Sequence, residues 1–430
     1  MKRFILIIGI LAGIMLVVAY LGRAPSISNG MENQVDSLKE AILYALNPPD
    51  QVVSNSPTNL LEDESNSELL DLTRTPTPTI SLTRTTAIPA TGTAFPTATI
   101  TPTSTPLPPD RTLEGFTHEF QMLNNDGPAN LAIALSYWDW DGNQRDTANF
   151  LKPNERDKNV MPYEMEDFLE SETDFRAITR VGGDLQILKA LIAGGYPVIV
   201  EKGYEGSEFD GWMGHYQVIS GYDDVKELFY TQDSLRGPDY TENYGDFLKD
   251  WRAFNYSYII PYPLENEAAL LDILGEQANA YSNFLHASEI AALETDQLAG
   301  RDLFFAFYNL GTNLVRLNDY GNAAVAYDAA FANYQELTDD IKPWRILWYQ
   351  TGPYFAYYYT GRYEDIVELA DNTLGRITET ILEESYYWRA KAKLALGDQE
   401  GAIADFQKSL DAHPGFAPSV EELRRLGIEP

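Results

Sequence analysis

The alternation of apolar and polar positions divides the chain into four parts. Residues 4–22 form an almost uninterrupted apolar run behind Lys2 and Arg3, long enough for the roughly 20 residues a membrane-crossing helix needs. The basic flank would stay cytoplasmic and place the rest of the chain outside. A cleaved signal peptide is the rival reading. The length of the run and the lack of a clean Ala-x-Ala site favour an uncleaved, single-pass anchor over 1–23. Residues 24–72 are polar and acidic, with a short helix expected over 34–46, and 73–109 are dominated by Thr and Pro. Proline removes backbone donors and favours extended polyproline conformations, so no core is expected there. Residues 24–110 therefore read as a disordered stalk.

Core-forming patterns begin at 111. Pro128 suits the first turn of a helix, and apolar residues recur at helical spacing over 129–138. Further helices are predicted at 163–172 and 184–193. Strand patterns follow at 196–201, 215–222, 228–233 and 256–260. Helices first and antiparallel strands afterwards predict an α+β domain over 111–263.

The last stretch, 264–430, is helical throughout, beginning with a short acidic helix near 266–280. Three segments share one design: aromatic and small residues, a turn, then a second helix. Their turns contain Asn318-Asp319-Tyr320-Gly321, Thr360-Gly361-Arg362-Tyr363 and Leu396-Gly397-Asp398-Gln399. Gly361 and Gly397 lie 36 residues apart (397 − 361). This resembles about three tetratricopeptide repeats over 301–427 with imperfect spacing. Such repeats bury their faces by stacking and commonly hold peptides on the concave side.

Composition narrows the function classes. A formal net charge of −33 and a pI near 4.3 argue against nucleic acid and anionic lipid heads. The absence of cysteine excludes disulfides, thiolate metal sites and a cysteine nucleophile. His118, His215, His286 and His413 fall in no metal-ligand spacing such as HExxH, so neither a metal nor a cofactor is expected.

Candidate chemistry centres on His215 and Asp233. A hairpin centred near Val225 puts His215 opposite roughly residue 235, with Asp233 a near neighbour across the ladder. A carboxylate beside an imidazole fixes its tautomer and raises its pKa. Two further motifs surround this pair. Asn124-Asn125-Asp126-Gly127-Pro128-Ala129 opens a helix, and Gln121 stands five residues before Asp126.

Together with Gly214-His215-Tyr216-Gln217-Val218-Ile219-Ser220-Gly221-Tyr222-Asp223 and Thr231-Gln232-Asp233-Ser234, these motifs resemble a bacterial cysteine-peptidase family. Its members, family thirty-nine with a papain-like fold, remove double-glycine leaders. The resemblance covers about 117–263. It implies that Asp126 occupies the nucleophile position, where the family has Cys before Gly-Pro. His215 would be the base, Asp233 would orient it, and Gln121 would donate to the oxyanion. A carboxylate is a poor nucleophile toward an amide, because its attack would give a mixed anhydride. The expectation is therefore an exported, membrane-tethered, peptidase-like protein that binds peptide or protein without cleaving it and uses its repeats for protein contacts. A hydrolase with a non-cysteine mechanism and a scaffold in which only the repeats bind are the alternatives. The oligomeric state is not fixed by the sequence.

Overall fold

The computed structural model describes residues 106–430 except 155, 158, 206–210 and 378–379. The expected anchor (4–22), the helix at 34–46 and nearly all of the Thr/Pro stalk lie outside the described residues. Among the described residues no helix is long and apolar enough to cross a membrane.

Residues 109–430 fall in one compact unit. Its first part is an antiparallel sheet of seven strands. The strands are β1 (Asp110–Thr112), β2 (Phe175–Arg180), β3 (Val198–Tyr204), β4 (Met213–Asp223), β5 (Leu228–Asp233), β6 (Gly237–Asn243) and β7 (Tyr258–Pro263). They are ordered β2-β7-β3-β4-β5-β6, with β1 on the far end of β4. Helices α1 (Asp126–Ser136), α2 (Gln144–Leu151) and α3 (Pro162–Glu172) precede or interrupt the strands, as do α4 (Leu185–Ala193) and α5 (Tyr244–Arg252).

The period-two pattern of the strands explains how both faces are covered. Ile199, Tyr216, Val218 and Ile259 pack with Leu131 and Leu135 of α1 and with Met165 and Phe168 of α3. Their neighbours Val198, Val200, Ile219, Tyr258 and Ile260 face the other way, against Leu188 and Ile192 of α4 and Phe247 and Trp251 of α5. Helix α1 lies deep in the domain: residues 127 to 135 are all buried. A helix apolar all round is stable only when covered on every side, and here the sheet, α2 and α3 supply that cover.

The remainder is helical: α6 (Glu267–Leu274), α7 (Ala280–Thr295), α8 (Gly300–Arg316), α9 (Tyr320–Glu336), α10 (Ile346–Tyr349), α11 (Gly352–Tyr359), α12 (Tyr363–Leu374), α13 (Glu383–Ala395), α14 (Gln399–Ala412) and α15 (Ala417–Arg425). Three helix pairs, α8/α9, α11/α12 and α13/α14, turn through one left-handed residue each: Asn318 (φ 61°), Gly361 (φ 77°) and Gly397 (φ 89°). Asn and Gly tolerate that region best. In the first and third turns Asp319 and Asp398 cap the helix that follows, accepting from the N–H of Asn322 and Gly401.

The two parts share an apolar core. Trp212, Ala253 and Phe254 of the sheet part pack with Phe304, Phe305, Tyr308, Trp344 and Tyr349 of the helical part. Polar ties cross the same boundary. Arg345 Nη1 donates to Trp212 O at 2.8 Å, Gln350 Nε2 donates to Ala253 O at 2.7 Å, and Asn255 and Asn313 exchange side-chain hydrogen bonds.

Candidate functional site

The site is assembled where the start of α1 meets β4. Asn124 takes a left-handed backbone (φ 51°), and Lys152 Nζ holds its carbonyl at 2.7 Å. Gln144 fixes the rest of the turn: its Oε1 accepts from Met122 N and from Asn125 Nδ2, while its Nε2 donates to Phe120 O. Gly127 allows α1 to sit against α3, since a Cβ there would come within 3.1 Å of Met165 and Val160. Asp126 thus becomes the first residue of α1, at the end of the helix that favours negative charge.

Asp126 Oδ2 accepts the backbone N–H of Tyr216 at 3.1 Å and lies 3.8 Å from His215 Nδ1. On the other side of the ring, His215 Nε2 is 3.0 Å from Asp233 Oδ1. One imidazole therefore bridges two carboxylates. Asp233 Oδ1 also accepts from the backbone N–H groups of Leu235 and Arg236, at 2.8 and 2.9 Å. His215 and Asp233 are only 3% and 2% exposed, so their charges interact in a poorly screened setting.

Burial alone would push the imidazole down, but Asp233 first and Asp126 after it outweigh that, and the His215 pKa is raised. Burial would push Asp233 up. His215 and the two backbone donors overcome it, holding the carboxyl well below the usual range. The ring of Tyr204 lies 5.5 Å from that of His215 and carries the Arg236 guanidinium at 5.1 Å.

Gln121 joins through a relay. Its backbone N–H donates to Ser234 O at 2.9 Å, and its Oε1 accepts from Ser234 Oγ at 2.7 Å. Ser234 Oγ accepts in turn from Asn130 Nδ2, which also reaches the carbonyls of Tyr216 and Asp126. With Oε1 engaged, the amide's donor capacity lies at Nε2. The structure brings Asp126, His215 and Asp233 into direct sequence of contact and ties Gln121 to them through Ser234 and Asn130.

Three residues escaped the sequence reading. Ser234 and Asn130 are buried hubs, most of whose partners are 86 or more residues away. Glu201, on β3, pairs in register with Tyr216. It is buried, and burial followed by repulsion from Asp126 raises its pKa well above the carboxylate range. A charged residue directly after the apolar run Val198-Ile199-Val200, within the same strand, was the available signal.

A cleft of about 280 Å³ opens beside the His215–Asp233 pair, lined by Lys202, Tyr204, Asp233, Arg236, Glu242 and Asp250. Charged groups of both signs and two nearby aromatic rings suit a polar ligand with some apolar surface. Burial raises Asp250 to about 6, so this carboxyl titrates near neutrality.

Residues 114–259 match the model of the Peptidase_C39 like family. Among solved structures, one described as a C39-like peptidase from Bacillus anthracis is similar at 17% identity. The match covers 36% of this chain and 97% of that one, with a TM-score of 0.30. No curated protein matches. The family match falls on the α+β sheet part, and the helical region lies beyond it.

Proposed function

We propose that this chain is an exported, membrane-tethered binding protein whose C39-like domain holds a peptide or protein segment without cleaving it. The observation that carries this reading is the position of Asp126 Oδ2, held between Tyr216 N and His215 Nδ1. A carboxylate there supplies the negative charge that a thiolate would place at a helix N-terminus beside an imidazolium. It lacks the thiolate's nucleophilicity. The cleft and its donors remain, and recognition does not depend on the nucleophile. The Thr/Pro-rich segment would present the domain away from the membrane, and the helix pairs, read as tetratricopeptide-type repeats, would contact a second protein.

One observation favours a hydrolase instead. Glu201 is near Asp126, and burial, followed by repulsion from Asp126, raises its pKa well above the carboxylate range. Such pairs supply an acid and a base for water attack. A peptide library incubated with the full chain and read by mass spectrometry separates the two readings. Binding without cleavage supports the first. Cleavage that disappears in both His215→Ala and Glu201→Gln overturns it.

A further inference from the structure

About as far along the chain as it is possible to be from the C39-like motifs, His413 follows the end of α14. It faces three carboxyls that the site described above does not use. Its Nδ1 lies 3.5 Å from Glu383 Oε1 and 3.9 Å from Glu164 Oε1. Asp157, in the segment before α3, offers a further oxygen. The ligand atoms of Asp157, Glu383 and His413 all lie within 4.8 Å of one another. We propose that Asp157, Glu164, Glu383 and His413 bind one divalent transition cation, of the zinc or manganese class, which clamps the C39-like domain to the last helix pair.

Two observations beyond the clustering of acids support a cation. The first is that the inward-facing groups lack hydrogen bonds. The Glu383 side chain is 5% exposed, and among the described residues no hydrogen bond reaches its carboxylate. His413 Nδ1 is buried and has no hydrogen-bond partner. A buried polar group without a partner is costly. At 3.5 and 3.9 Å the imidazole nitrogen is set too far from the carboxylates for good hydrogen bonds. Ligands of one metal, each about 2.0–2.2 Å from it, stand roughly 3.3–4.3 Å apart.

The second observation is charge. Among the described residues no Lys or Arg forms an ion pair with Glu164, Glu383 or Glu384. Glu164 and Glu383 both approach His413 Nδ1, so two acidic groups converge on one point and repel each other. Glu164 Oε2 is already oriented by the backbone N–H of Met161 at 2.7 Å. This leaves Oε1 directed at His413, the kind of outer support metal ligands require. A cation would offset the repulsion.

The donor set decides the class of cation. Three carboxylates and one imidazole are borderline in hardness and suit zinc or manganese. Calcium takes oxygen ligands alone. The ligands come from three separated stretches, 157–164, 383 and 413, which explains why no short spacing announces them.

The test is metal titration of the full-length chain after chelator treatment, by calorimetry and thermal denaturation, with zinc chloride and manganese chloride as probes. The expected result is one equivalent bound and, with the cation at about a hundredfold excess over Kd, a Tm rise of about 5 °C. Glu383→Gln and His413→Gln should each weaken binding by at least about tenfold, the size of effect that loss of even an outer-shell partner produces. Cobalt substitution adds a reading independent of stability, a visible ligand-field absorption that His413→Gln alters. No heat and no Tm shift in the wild-type chain would overturn the proposal whatever the variants do. So would a response to calcium alone, or equal affinity in folded Glu383→Gln and His413→Gln proteins.

Discussion

Tyr349 of the helical region lies directly against Gly214, the residue before His215. A methyl group on Gly214 would stand 2.9 Å from the tyrosine Cε1 and 2.7 Å from Phe254 Cζ. Both rings are held in the shared core, with Trp212 stacked on Phe254 and edge-on to Tyr349. The backbone that delivers His215 is thus braced by a residue 134 positions further along (349 − 215).

Gly214→Ala should therefore destabilise the protein by about 1–3 kcal/mol, the usual cost of overpacking a filled interior. Urea denaturation measures this. A second substitution, Tyr349→Leu, should recover part of the loss by making room. If the two changes are simply additive, the contact is not the cause.

The His215–Asp233 pair makes stability depend on pH on both sides. The His215 pKa is raised, so its contribution is complete below the unfolded value of about 6.5 and is lost as pH climbs through the folded value. Asp233 is depressed, so its contribution is complete above about 3.9 and is lost as pH falls through its folded value. Between those limits the pair contributes most. Asp233→Asn should cost about 3–5 kcal/mol in that window, the loss expected when one partner of a buried pair is removed. It should also lower the His215 titration midpoint in an NMR series.

Asp126→Cys tests whether the helix terminus and His215 still activate a thiol. The new thiol should alkylate rapidly at mildly acidic pH, where an ordinary cysteine with a pKa of about 8.5 is sluggish. Adding His215→Ala should abolish the enhancement. A slow thiol in the single variant would mean that the geometry around Asp126 supports the fold and nothing more.

Glu201→Gln should leave stability almost unchanged in acid, below the unfolded carboxyl value of about 4.3, because the amide has nearly the same shape as the protonated carboxyl. It should make the protein more stable than wild type at neutral pH. The sign at higher pH follows from its raised pKa. The folded chain binds the more protons, so wild-type stability declines as pH rises above the unfolded value. The variant should flatten that decline in thermal melts from about pH 4 upward.

The site was legible in the sequence to the extent that its parts were local. The hairpin expected around Val225 does pair Val218 with Gln232, the register that brings His215 and Asp233 together. Pro128 marked the helix start to within two residues of Asp126. Strands β2 and β6 were missed for a physical reason. Phe175–Arg180 is half-buried along its length and Gly237–Asn243 is mostly exposed, so neither shows the apolar alternation that identifies a strand. Their pairing is set by β7 and β5 instead. Gln144 was equally hidden: it holds three residues of the turn before α1, yet it is the polar first residue of a short helix whose apolar residues, Ala148, Phe150 and Leu151, come only at its end.

The core shared by Trp212, Phe254 and the aromatic residues of α8 and α10 has a consequence for synthesis. The C39-like motifs leave the ribosome first, but the wall behind β4 is made from residues near 304 and 344–349. A chain stopped just after β7 would display Trp212 and Phe254 to solvent, an adhesive surface for chaperones or for its own copies. The packing behind β4 is therefore finished late, and a truncated product should be recognised as unfinished.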